Sequence, residues 1–348
     1  MRVAGEICVA LAVSAVALIA PASAARAEVT ELCRFDGDRL AEISGLAYSA
    51  QHDGIVWAHN DSGGGARLYA LDIDSCAIRA VLRVRGVKAQ DPEAIAMGTG
   101  PTEAPVLWWG DVGDNTSQRR FIEIHAIPEP ADLRSAAVDA TTYRVRLGER
   151  QDSEALLADG DQLWLISKGL LGGTVWEFPR PLPRGKEARA RAVGTEEALV
   201  TDAAMRPGGG YAVRDYSEAR IYSGSPPGTL ESRMPLPEQV QGEAMTWTPD
   251  GTSLIVASEG DDRLLLVPVG DPASDPSMSP EPVATSESAA PQESSIPSPT
   301  PSPTAVADAL EPVDRVGILA VLALAVGAGV FIISAAAVAI AVRLRSRQ

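Results

Sequence analysis

Five stretches of the chain repeat one pattern, and this recurrence restricts the fold more than any other feature. Each stretch opens with a small or acidic residue and a short apolar run, at 44–47, 93–96, 154–157, 202–205 and 243–246. A turn leads to a second apolar run at 55–58, 106–109, 162–165, 210–213 and 254–257. A polar cluster then precedes a third run at 67–70, 121–124, 174–177, 220–223 and 263–266. Asp53-Gly54, Asp159-Gly160, Gly208-Gly209-Gly210 and Pro249-Asp250-Gly251 are turn chemistry in the right places, since Gly and Asp tolerate the backbone angles that tight hairpins need.

The opening residues Ser44, Glu93, Glu154, Asp202 and Glu243 are spaced 49, 61, 48 and 41 apart. Such lengths suit one four-stranded propeller blade each. Fourth strands are expected at 80–83, 142–145 and 190–193 and near 233–236. The fifth repeat lacks one, and residues 29–35 could supply it and close the ring. The reading is an all-β β-propeller with five blades. Six blades is the alternative, because the long second repeat with Pro128-Glu129-Pro130 could hold an extra partial blade; a β-sandwich is the rival architecture. Ala and Gly crowd the first strands, as expected near an axis where bulky side chains collide. Trp57, Trp108, Trp164 and Trp176 fall on outer strands and are expected between blades as core. The 31 Gly, 26 Pro and 5% aromatic content agree with a turn-rich chain carrying a disordered segment.

The ends set the expected location. Residues 1–27 read as a signal peptide: Arg2, an apolar run over 7–20, then small-x-small sites at 22–24 and 25–27. Residues 28–270 form the ectodomain. Residues 271–314, rich in Pro, Ser, Thr, Ala and Glu, cannot bury a core and read as a disordered stalk. Residues 315–342 read as a transmembrane helix; the charge-free run of 27 residues over 316–342 reaches roughly 40 Å against a hydrocarbon core of roughly 30 Å. Arg343, Arg345 and Arg347 make 343–348 a basic tail that stays cytoplasmic. The expectation is a single-pass cell-membrane protein with its N-terminal domain outside. Cys8 leaves with the signal, so Cys33 and Cys76 are expected to form a disulfide in an oxidising compartment.

Net charge is −16, from 30 Lys+Arg against 46 Asp+Glu, which argues against a nucleic-acid partner. Four of the five opening residues are acids. A propeller brings equivalent positions together at its axis, where carboxylates repel unless protonated or neutralised by a cation. Ser44, Glu93, Glu154, Asp202 and Glu243 are therefore candidate ligands for a hard metal ion, with calcium as the expected cofactor. A second polar cluster follows the second strands: His59, Asn60 and Asp61; Asp111, Asp114 and Asn115; Ser167 and Lys168; Arg214 and Asp215; Ser258 and Glu259. Antiparallel pairing puts both sets on one face, with Arg119 and Arg120 reaching from a loop. These residues are candidates for a ligand site, and equally for ordinary polar turns. No Gly-x-Ser-x-Gly elbow, phosphate loop or HExxH helix is present.

The order Ser44, Glu93, Glu154, Asp202, Glu243 on innermost strands is similar to that of five-bladed calcium-activated nucleotidases (apyrases). That resemblance implies axial Ser and Glu residues holding calcium beside a mouth that hydrolyses nucleoside diphosphates; Asp202 stands where that family has a hydroxyl residue. The segments 91–96 (Asp-x-Glu-x-Ile-Ala) and 110–115 (Gly-Asp-x-Gly-Asp-Asn) also resemble a broad group of secreted bacterial propellers, which implies fold and location more than reaction. The functional expectation is a membrane-anchored propeller that binds an extracellular ligand or protein at an acidic, calcium-containing mouth, without catalysis. The alternatives are a calcium-dependent phosphoester or phosphoanhydride hydrolase, with Lys168, Arg214 and Arg119 pairing with phosphate and Asp61, Asp111 or Glu259 activating water, and a purely structural surface protein.

Overall fold

In a computed structural model of the chain, the structure describes residues 28–270 except residue 171. The signal peptide, stalk, transmembrane helix and basic tail expected from the sequence lie outside the described residues. Every named element is a strand. Strand β1 spans Thr30–Arg34; blade one follows as β2 Ile43–Tyr48, β3 Ile55–Asn60, β4 Arg67–Asp72 and β5 Ile78–Val84. Blade two is β6 Pro92–Thr99, β7 Pro105–Asp111, β8 Ile122–Pro128 and, after β9 Ala136–Val138, β10 Thr141–Arg146. Blade three is β11 Ser153–Asp159, β12 Gln162–Ser167, β13 Gly173–Glu177 and, after β14 Ala188–Arg189, β15 Arg191–Glu196. Blade four is β16 Asp202–Met205, β17 Tyr211–Arg214, β18 Glu218–Ser223 and β19 Thr229–Pro235. Blade five is β20 Gln241–Trp247, β21 Ser253–Glu259 and β22 Arg263–Pro268.

Each blade is an antiparallel meander running outward from its first strand. The five first strands β2, β6, β11, β16 and β20 neighbour one another in a closed ring. Five blades are present, and the sixth-blade alternative falls. The long second repeat instead sends β9 back to pair in parallel with β5, widening blade one. In the same way β14 adds a parallel edge to blade two. Both additions cover sheet edges that would otherwise expose unpaired backbone groups. Blade five takes its fourth strand from the N-terminus, as expected: β1 pairs with β22 from Thr30↔Leu266 to Arg34↔Arg263. The Cys33–Cys76 disulfide forms, tying this closing strand to blade one.

Period-2 alternation explains how one strand serves two interfaces. Trp108 packs between blades two and three, whereas the adjacent Trp109 packs between blades one and two. Leu156 and Leu157, Ala212 and Val213, and Ile255 and Val256 divide likewise. The result is five apolar clusters, one at each junction of neighbouring blades. Trp57, Trp108, Trp164 and Trp176 are all buried in them, as the sequence suggested.

Candidate functional site

The five opening residues lie at the same end of the five first strands, and none is more than 5% exposed. A β-bulge accompanies four of them. Register slips between Ile43 and Leu46, Pro92 and Ala94, Ser153 and Ala155, and Gly242 and Ala244 bracket Ser44, Glu93, Glu154 and Glu243. A bulge adds one residue and re-aims its side chain out of the regular alternation. Blade one needs Gly45 for this: its φ is +150°, and a Cβ there would sit 2.8 Å from Nε2 of the buried His59. Ser44 then donates to Glu93 Oε2 of the next blade at 2.9 Å. Lys168 Nζ lies 3.0 Å from Glu154 Oε1. Tyr216 of blade four donates to Glu243 Oε1 at 3.3 Å, and Gln241 Nε2 donates to the same oxygen at 3.0 Å.

Blade four differs. Asp202 pairs squarely with Arg214 in an unbulged ladder. Its carboxylate accepts from its neighbour's N–H (Ala203, 2.8 Å) and from Met245 N–H of blade five (2.6 Å). Both oxygens are thereby engaged in clamping two blades together, which sets Asp202 apart from the other three acids.

A second tier of polar groups lies two residues before each bulge. Glu42, Asp91, Asp152 and Gln241 precede Ser44, Glu93, Glu154 and Glu243, and blade four has Val200 there. Sequence reasoning missed this tier, although the repeated acid-x-acid spacing (Asp91-x-Glu93, Asp152-x-Glu154) was its signal. Together the tiers build one acidic mouth. Burial, with the Glu154 and Asp91 carboxylates nearby, pushes the Glu93 carboxyl up to about 10. Burial raises Glu154 to about 8, although Lys168 pulls the other way. Partial burial and the Glu42 carboxylate bring Asp61 up to about 6. Burial and the facing Glu42 and Glu243 carboxyls push Glu259 up to about 8. Carboxylate oxygens of Glu42, Asp61 and Glu259 lie within 4.8 Å of one another. Among the described residues the inner acids form no such tight trio by themselves. Asp61 Oδ1 is buried without a hydrogen-bond partner there.

The other residues expected at the mouth have varied positions. Asp114 caps its own loop, accepting from the N–H groups of Gln118 and Arg119, both at 2.8 Å. Asp215 does the same for Ser217 and Glu218. For these two the turn reading describes what the carboxylates do. Asn115 is exposed on the same loop as Asp114. Asp111 is 1% exposed and accepts from the backbone of Gln90 and Asp91 and from Arg119 Nη1 at 2.7 Å. It also approaches Glu123 and His125, a grouping its sequence spacing did not suggest; its oxygens are already held by these three donors. Arg214 does not present its charge at the mouth. It is 0% exposed, and its guanidinium donates to the carbonyls of Asp215 and Ala244 and to Gln239 Oε1. Burial lowers it to about 10, while Asp202 and Glu243 help keep it charged. His59 is wholly buried, and desolvation lowers it to about 4.

At the opposite end of the axis the first strands leave a cavity of about 450 Å³. Tyr48, Met97, Met205 and Trp247 line it, so the two ends of the propeller are chemically unlike.

No protein-family model matches the chain, and no curated protein sequence does. Solved structures with similar architecture include a streptogramin B lyase (13% identity, TM-score 0.35), with 64% of each chain covered. The chain thus spans less than two thirds of that protein. A gluconolactonase from Xanthomonas campestris is similar at 12% identity and TM-score 0.41, over 66% of this chain and 73% of that one. The Cps50 (Swd1) β-propeller domain of Myceliophteria thermophila is similar at 11% identity and TM-score 0.37, over 66% and 84%. At this level of likeness no activity, substrate or partner passes from these proteins to the chain, and the nucleotidase resemblance gains no support from them.

Proposed function

We propose that the chain is a membrane-tethered extracellular propeller whose acidic mouth takes up a hard divalent cation, calcium, and through it a ligand or partner. One observation carries this reading: carboxyls from two tiers and four blades crowd one mouth, with Lys168 the single ammonium paired among them. Carboxyls in such a group hold either protons or a cation. Oxygen donors from Glu42, Asp61 and Glu259, with water completing the shell, suit calcium's demand for six to eight oxygens. Glu93 and Glu154, held protonated by burial in the metal-free fold, face the same mouth and would be drawn toward their charged forms by a bound cation. The run over 316–342 and the arginines after it support the tether.

The hydrolase alternative draws on Lys168, Arg119 and Arg214 for phosphate. Lys168 is paired with Glu154, Arg119 with Asp111, and Arg214 is buried against carbonyls, so binding is the reading adopted. The test is thermal unfolding of the full chain in EDTA and in excess calcium. At a hundred times Kd the gain is about 2.7 kcal/mol, or roughly 5–10 °C for a domain this size. Glu259→Gln should remove most of that shift. An identical melting temperature with and without calcium refutes the proposal.

A further inference from the structure

On the same face as the acidic mouth, at the rim between blades two and three, lies a cleft of about 170 Å³. The β7–β8 loop and the segment linking β10 to β11 form it. Four of its lining residues are arginines: Arg119, Arg120, Arg146 and Arg150. In a chain with 30 basic residues against 46 acidic ones, that concentration is opposite in sign to its surroundings.

Arg119 is held by Asp111, its Nη1 2.7 Å from Oδ1. The guanidiniums open to a ligand are therefore Arg120, Arg146 and Arg150, and the two acids of the lining already accept hydrogen bonds. Asp114 is engaged by two backbone N–H groups, and Glu149 Oε1 accepts from Gln151. For Arg146 and Arg120 the counter-charge is Glu187, 2.5 Å from Arg146 Nη2 and 4.0 Å from Arg120 Nε. Arg146 Nε is buried and has no hydrogen-bond partner among the described residues. Arg150 is exposed and makes no ion pair among them. A desolvated guanidinium donor is left unsatisfied while further guanidinium forks line the same small space. That is the donor chemistry that takes up two oxygens of a carboxylate or phosphate, because the planar fork matches them bidentately. At roughly 30 Å³ per water, the volume holds one such group and a few waters, and not a whole nucleotide.

We infer that this cleft is an oxyanion site that anchors the carboxylate or phosphate of a small extracellular ligand, independently of any metal at the axis. The ligand's remainder extends from the rim.

The experiment titrates the full chain in EDTA at constant ionic strength with inorganic phosphate, glucose 6-phosphate and glucuronate, followed by calorimetry. Saturable binding of at least one probe is expected. Tighter binding of glucose 6-phosphate than of phosphate marks a phosphoester ligand, and tighter binding of glucuronate marks a carboxylate. Arg120→Ala with Arg150→Ala, both at exposed positions, should weaken binding at least tenfold. Glu187→Gln should strengthen it several-fold, since Glu187 competes for Arg146 and Arg120. No saturation by any probe, or unchanged affinity in the double arginine variant, overturns the inference. EDTA throughout keeps this result separate from the calcium test.

Discussion

Two glycines and two buried carboxyls show how single residues govern the mouth. Gly45 admits the bulge that aims Ser44. Gly242 makes room for Arg214, whose Nη2 occupies the space a Cβ there would need. Glu93 and Glu154 have ordinary values of 4.5 when unfolded and about 10 and about 8 when folded. The folded, metal-free chain therefore holds protons that the unfolded chain releases. The associated stability is present at low pH and is lost progressively as pH rises above about 4.5, up to about 8 for Glu154 and about 10 for Glu93. Glu259 and Asp61 add loss of the same sign. His59, held neutral to about 4, acts oppositely but only below about 6.5, where unfolded histidine charges. In EDTA the melting temperature should thus fall steadily between pH 6.5 and 9, and calcium should restore it most at the alkaline end. A rising or level profile in EDTA would contradict the buried-acid assignment.

Among elements, the strap after β8 matters most. Its Glu129 is 6% exposed and accepts from Trp57 Nε1 at 2.8 Å, Ser49 Oγ at 2.5 Å and Ala50 N–H at 3.2 Å, all in blade one. Gln51 donates to its carbonyl, and His52 Nε2 lies 2.8 Å from Pro130 O. A segment leaving blade two is stitched to blade one before β9 joins that blade's edge. Removing the shared acceptor leaves buried donors without partners, each costing about 1–3 kcal/mol. Glu129→Ala should lower unfolding free energy by roughly 3 kcal/mol in urea denaturation. A loss below about 0.5 kcal/mol, the scale of ordinary surface changes, would show that the strap does not hold the blades.

For the molecule as a whole, closure decides stability. Strand β1 completes blade five by hydrogen bonds, and Cys33 couples it to Cys76 across a sequence separation of 43. The loop-entropy relation assigns such a crosslink about 4 kcal/mol. In a domain of this size that corresponds to roughly 8–16 °C. Cys33→Ser with Cys76→Ser should lower the melting temperature by that amount while leaving the β circular dichroism spectrum unchanged at low temperature. A variant that melts with the parent would mean that β1 pairing alone closes the ring.

The alternation of apolar and polar residues, the turn glycines and the fivefold recurrence determined the strands, favoured five blades over six and pointed to the N-terminus as the closing strand. These are local or periodic properties, and a chain carries them in its order of residues. Glu93, Glu154 and Glu243 were legible as a group for the same reason. Tertiary structure alone decided what each acid does. Asp202 shares their repeat position, yet without a bulge its oxygens meet Met245 N–H of another blade. Arg214 reads as a mouth cation, yet packing buries it against carbonyls. Glu42 and Asp61 are neighbours within blade one, and Glu259 of blade five meets them only because the ring closes; the arginines of the rim cleft converge from two loops at the end of blade two. Spacing along a chain encodes register within a blade; distances between blades come from how five sheets pack.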